Sequence, residues 1–371
     1  MSGTKMVETK QFRDPKTTQD IVQKIHNLTA KAGPIKICHV CGTHEWTITH
    51  YGLRNLLPPN IEVIAGPGCP VCIVPASEID HTIELAKEGK VITCFGDVLR
   101  VPGSQTTLIE TKATGADIRI VYAVSDAIEM AKREPQKEFV FSAVGFETTA
   151  PITATEALNK LPPNFSFLVS HRLIPPAMEM LLGIEELQID GFIAPGHVSA
   201  IIGLKPYELF TKVYRMPTVV AGFEPNDVLM ALYMLLKQHS TNKVHLENEY
   251  TRVVRPEGNK KALKAIQQAF TTTTGTWRGI GQLDNSALQL KDHLAQYDAR
   301  KKYHLKPIQS KDSPQGCQCH QIIVGKIKPN QCPLFLKTCT PTKPIGACMV
   351  SNEGTCRVWA KNTETNTTDK T

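Results

Sequence analysis

The chain has 371 residues, 41% of them hydrophobic and 21% charged, with a formal net charge of +7. That length exceeds one ordinary core, so two or three domains are expected. No block of like-charged Lys/Arg and no basic stripe interleaved with aromatics occurs, which argues against nucleic acid as a partner. No apolar window is long enough to span a membrane.

The first 13 residues are polar and charged, with no apolar core or small-residue cleavage site of a secretory leader. A cytoplasmic, reducing setting is therefore expected, where cysteines serve as metal ligands or redox groups more often than as structural bridges. Residues 35–40 read as a strand running into Cys-Gly-Thr-His-Glu (41–45), and helical spacing over 43–57 stops at Pro58 and Pro59. A second strand, 61–65, ends in Gly-Pro-Gly-Cys-Pro-Val-Cys (66–72). A helix over 77–87 and a strand over 91–95 follow. Further strands are expected at 118–124, 139–144, 165–170, 191–194 and 218–221, with Ser125 capping one helix and another starting at Thr148.

This alternation predicts an α/β fold with enough strands for two parallel sheets and their crossover helices. The expected division is 14–120, 121–240, a C-terminal segment 241–360, and a disordered tail 361–371 rich in Thr, Asn and Lys. Gly145-Phe146-Glu147-Thr148 and Gly222-Phe223-Glu224-Pro225 each follow a strand, a weak echo of a repeated architecture. Ligands of open parallel sheets bind at the carboxyl ends of strands. The unusual motifs 41–45, 66–72, 95–97, 145–149 and 195–199 all sit at such ends, so they are expected to converge on one cleft.

Eleven cysteines fall into two groups, with none between Cys94 and Cys317. Cys69 and Cys72 have the spacing of a reversible disulfide, and a helix start favours a thiolate. The alternative is a zinc site completed by Cys38 and Cys41. Cys41 with His44 is either a thiolate–imidazolium pair or a soft metal site, unless His44 only caps a helix. Cys38 and Cys94 lie inside strands and read as small buried hydrophobes. Glu147 and His197 bring polar groups to the same edge as ligand contacts or helix caps. His39, His50, His81 and His171 are read as surface or core residues.

The C-terminal group, Cys317, Cys319, Cys332, Cys339, Cys348 and Cys356, is interrupted by prolines and glycines. So loop-rich a segment assembles little apolar core, and a thiolate-bound cluster or zinc would hold it. Four ligands would leave two thiols free to pair. Lys326, Lys328, Lys337 and Lys343 would offset the charge of such a cluster.

These motifs, together with Tyr-Gly-Leu-Arg-Asn-Leu-Leu-Pro (51–58), Phe-Gly-Asp-Val-Leu-Arg-Val-Pro-Gly-Ser (95–104) and Ala-Pro-Gly-His-Val-Ser (194–199), resemble HypD, the [NiFe]-hydrogenase maturation family. The resemblance spans about residues 40–356. It implies two Rossmann-like domains around a central cleft plus a C-terminal iron–sulfur domain. It also implies a scaffold that, with the small chaperone HypC, assembles an iron carrying two cyanides and one carbon monoxide. Cyanide would come from HypE, loaded by HypF, and the product would pass to the hydrogenase large subunit. By the same resemblance Cys41 holds the iron, His44 is its motif neighbour, and Cys69 and Cys72 are a redox pair. The family's cluster spacing falls on Cys319, Cys332, Cys339 and Cys356 for a [4Fe-4S] cluster, leaving Cys317 and Cys348 as a possible disulfide. Trp46 stands where many members carry a second histidine. An iron–sulfur thiol–disulfide oxidoreductase acting on a protein is the alternative function.

Overall fold

A computed structural model describes residues 12–368. Nine short strands are parallel: β1 (Ile35–His39), β2 (Ile61–Ala65), β3 (Val91–Cys94), β4 (Ile118–Ile120), β5 (Phe139–Gly145), β6 (Phe165–His171), β7 (Gly191–Pro195), β8 (Thr218–Ala221) and β9 (Leu246–Asn248). β5 and β6 are buried at every position, which is why they read as unbroken apolar runs rather than alternating ones. Helices between successive strands cover the sheets, as parallel pairing demands.

The strands form two sheets, one ordered β2-β1-β7-β8-β9 and the other β4-β3-β5-β6. Chain direction across the sheet reverses between β1 and β7, and again between β3 and β5, the positions where such sheets open a crevice. The expected cut at residue 120 does not separate these sheets. The chain leaves the first sheet after β2, builds all of the second, and returns with β7 to pair beside β1. Periodicity reveals a strand but not its neighbour, so the return was hidden from sequence. The echoed Gly-Phe-Glu motifs are likewise no mark of duplication. One follows β5, beside its sheet's reversal point, while the other follows β8, one strand further out.

Two further expectations change, and one element was not foreseen. The helix expected to be capped by Ser125 is Val124–Arg133, where Asp126 accepts the Ala123 N–H at 3.0 Å. The region after residue 270 contains an antiparallel hairpin, β10 (Phe270–Trp277) and β11 (Gly281–Leu290), whose run of threonines hid its pairing. The supposed disordered tail is helical through residue 368, as part of Thr355–Thr368. Buried Val358 and Ala360, and a 2.7 Å hydrogen bond from Trp359 Nε1 to Glu45, anchor its first turns, so later residues extend an existing helix. Residues 369–371 and 1–11 lie outside the described residues, including most of the N-terminal stretch read as lacking a leader.

The cysteine-rich segment is not a separate body. Ile322, Ile323, Met349 and Val350 join one apolar core with Val40 and Ile64 of the first sheet region and Ile92 and Val140 of the second. Among the described residues no helix is long and apolar enough to cross a membrane.

Candidate thiol and metal centre

Cys41 follows β1 after one intervening residue, Val40, and N-caps the helix Gly42–His50 with its backbone still extended. Glycines draw two other segments against it. A Cβ on Gly68 would lie 2.2 Å from the Cys41 nitrogen, and one on Gly42 would lie 2.4 Å from the Glu353 carbonyl. The Gly42 N–H also donates to Gly68 O at 3.1 Å. The result is a crevice lined by His39, Cys41, Glu45, Cys69, Cys72 and Cys348, among others. Its free volume of about 10 Å³ is the lower limit for one water molecule. Burial pushes the Cys41 thiol up to about 11, and the Glu353 carboxylate adds to this, against the N–H groups of His44 and Thr43. Cys41 is thus a neutral thiol at pH 7, and a metal would have to displace its proton.

Cys69 and Cys72 form a disulfide, the only one among the described residues. The Cys69 sulfur also accepts the Cys72 N–H at 3.2 Å, at the start of the short helix Pro70–Ile73. This rules out the four-cysteine zinc alternative in this state, since two of its ligands are bonded to each other. Cys38 and Cys94 are fully buried, as expected, and burial raises both thiols, Cys94 to about 12.

His44 does not line the crevice. Its Nε2 is 2.9 Å from Gly222 O and its ring stacks on Phe223 at 4.8 Å. Burial, reinforced by His39, holds it down to about 3, so it remains neutral and forms no imidazolium for Cys41. Glu45 instead organises this turn. Its carboxylate accepts from Arg54 through both guanidinium ends, from Thr49 and Trp359, and lies 2.7 Å from His39 Nε2. His39, read from sequence as a surface or core residue, is the imidazole that does line the crevice. Its place one strand residue ahead of Val-Cys was the available signal. Trp46 is 41% exposed and stacks on His50 at 4.4 Å, away from the crevice.

Glu147 and His197 also lie off the crevice wall. Glu147 is buried, accepts the Ile174 N–H at 2.8 Å with Oε1, and has no partner for Oε2. Burial raises its carboxyl to about 7. Tyr207, fully buried, stands close enough to both Glu147 and Cys41 for either charge to raise its phenol further. His197 is exposed and also stacks on Phe223, with ring centroids 3.8 Å apart.

All six C-terminal cysteines are buried. The sulfurs of Cys319, Cys348 and Cys356 lie within 4.8 Å of one another. A Cβ on Gly346 would lie 2.5 Å from the sulfurs of both Cys317 and Cys319, so only glycine fits over this group. The Cys339 sulfur accepts the Ile345 N–H at 3.3 Å. Hydrogen bonds with the Cys319 and Cys356 thiols pull Cys348 well below the ordinary thiol range. Burial of so many soft donors in one group fits a polythiolate metal or iron–sulfur centre. The expected Cys317–Cys348 disulfide is not formed; both thiols are free, and Cys348 sits in the close sulfur group instead. The lysines expected to offset the cluster are engaged elsewhere in two cases, Lys326 with Glu186 and Lys328 with Glu62. The buried cation beside Cys317 and Cys319 is Arg278, held by the carbonyls of Val74, Pro102 and Asp312.

Comparison with known proteins identifies the family. The family model HypD, described as the hydrogenase formation hypA family, matches residues 16–363. The chain belongs to the HypD family. A hydrogenase expression/formation protein of Methanocaldococcus jannaschii is 49% identical over 343 residues, covering 92% of this chain and 95% of that protein. The hydrogenase maturation factors HypD of Rhodobacter capsulatus and Escherichia coli are each 41% identical over 362 residues, covering 94% of this chain and 96% of theirs. Hydrogenase maturation is the role that HypD membership carries.

Proposed function

We propose that the chain is the scaffold on which an iron bearing two cyanides and one carbon monoxide is assembled for a [NiFe]-hydrogenase. The observation that carries this reading is the meeting of three sulfur sites in one crevice: Cys41, the Cys69–Cys72 disulfide, and Cys348 of the C-terminal sulfur group. Cys41 would hold the iron, because low-spin ferrous iron with diatomic ligands favours a soft thiolate. The crevice barely admits water, so loading requires the segment around Glu353 to move aside. HypC is the expected companion at that mouth, HypE the cyanide donor after loading by HypF, and the hydrogenase large subunit the recipient.

A [4Fe-4S] cluster fits the C-terminal cysteines, with Cys319 and Cys356 common to the family spacing and to the close sulfur group, and Cys332 and Cys339 completing four ligands. When bound, such a cluster supplies electrons. Opening Cys69–Cys72 takes two electrons and two protons and delivers two thiols beside Cys41. Cys348, which borders both the sulfur group and the crevice, is the residue placed to connect them. Arg278 keeps a fixed positive charge beside the thiolates.

The oxidoreductase alternative uses the same disulfide and cluster but has no role for Cys41. Complementation of a strain lacking its own HypD separates the two. The scaffold reading predicts that Cys41→Ala leaves the large subunit unprocessed even while Cys69–Cys72 still cycles. Normal processing by that variant would refute it.

A further inference from the structure

His39 shares the crevice with Cys41. Residues two apart on extended chain face the same side, and β1 and Cys41 are both extended, so both side chains are expected on the same face at the carboxyl end of the strand. The ring of His39 is 1% exposed. Its Nε2 lies 2.7 Å from Glu45 Oε2, and its Nδ1 has no hydrogen-bond partner. An ionised carboxylate only accepts, so Nε2 carries the hydrogen, and in the neutral ring Nδ1 keeps a lone pair. A buried acceptor left unpaired costs free energy that a bound ligand would recover.

Two other candidate donors, Glu45 and His44, are excluded. Both Glu45 oxygens are taken, Oε1 by Arg54, Thr49 and Trp359 and Oε2 by Arg54 and His39. His44 also has an unpartnered Nδ1, but it lies outside the crevice with its ring stacked on Phe223. An imidazole that donates its far N–H to a carboxylate is the usual form of a metal-ligating histidine, because the carboxylate fixes tautomer and ring orientation.

We propose that His39 Nδ1 is a second protein ligand, beside the Cys41 thiolate, for a ferrous iron held in this crevice, with Glu45 as the positioning residue behind it. Cys41 releases its proton to solvent on binding, and His39 binds through the Nδ1 lone pair of its neutral ring, any proton on Nδ1 leaving to solvent as well. A mixed sulfur and imidazole set favours iron over hard cations such as magnesium. This inference rests on the crevice being an iron site.

Cobalt(II), added anaerobically to the full chain carrying its C-terminal cluster, tests it. The readouts are thiolate-to-cobalt charge-transfer absorption and imidazole-nitrogen modulation in pulsed electron paramagnetic resonance. The wild type should show both. His39→Gln should lose the nitrogen modulation, keep the charge-transfer band and bind cobalt about tenfold or more weakly. Should His39→Gln not fold, His44→Gln separates the two imidazoles next to Cys41: intact modulation is expected, and its loss in His44→Gln overturns the assignment to His39. A wild-type charge-transfer band without imidazole modulation, or modulation that survives His39→Gln, overturns the role of His39 and leaves the thiolate site standing. A band that survives Cys41→Ala instead overturns the iron-site reading itself.

Discussion

A Cβ placed on Gly68 would stand 2.2 Å from the amide nitrogen of Cys41, so the second loop of the crevice packs against the first with no space for a side chain. Gly68→Ala should therefore push the Gly-Pro-Gly turn away from Cys41. The expected cost is about 1–3 kcal/mol of stability, the usual range for overpacking. Denaturant unfolding measures it, and iron retention by the variant should fall in parallel.

The same reasoning applies at the C-terminal sulfur group. Gly346→Ala would bring a methyl group to 2.5 Å from both the Cys317 and Cys319 sulfurs. Loss of the visible absorbance of the anaerobically reconstituted cluster is expected, whereas an alanine at Gly33, which meets nothing within 4 Å, should leave it unchanged.

Much of this arrangement was legible in the sequence, and what was not has identifiable reasons. Strand-end motifs located Cys41 and the Cys69–Cys72 pair because glycines and prolines punctuate the turns that carry them. The sheet order was not legible, since β7 returns to β1 across more than a hundred residues and leaves no local trace. His39 was missed because a histidine at the end of an apolar run resembles a core residue. Its 2.7 Å contact with Glu45, six positions on, is a tertiary feature that strand periodicity does not show. Arg278 was missed for a similar reason: its cysteine neighbours are far along the chain, and its own partners are backbone carbonyls.

Glu45 is buried, and although burial opposes ionisation, Arg54 and His39 hold its carboxyl below the usual range. A carboxylate depressed in the folded state stabilises it fully above the ordinary glutamate pKa, and this contribution is lost as pH falls below that range. Glu45→Ala would strand Arg54, His39 and Trp359, with an expected loss of about 3–5 kcal/mol at pH 7. Urea unfolding at pH 7 should show that loss, and it should shrink at pH 3.

Glu147 works in the opposite direction. Burial raises its carboxyl from 4.5 to about 7, so the folded state binds a proton that the unfolded state has released between those values. Its cost to stability is absent below 4.5, grows through that window and levels off above about 7. Glu147→Gln should be more stable than the wild type at pH 8, by roughly 3 kcal/mol at most, and equal to it at pH 4. Unfolding curves at the two pH values decide this.

The proposed assembly of an iron–dicyano–carbonyl unit on Cys41 is tested most directly by the infrared spectrum of the chain isolated anaerobically with HypC. Cyanide and carbon monoxide stretching bands should be present in the wild type and absent from Cys41→Ala with its C-terminal cluster intact. Bands of undiminished intensity in that variant would contradict the account.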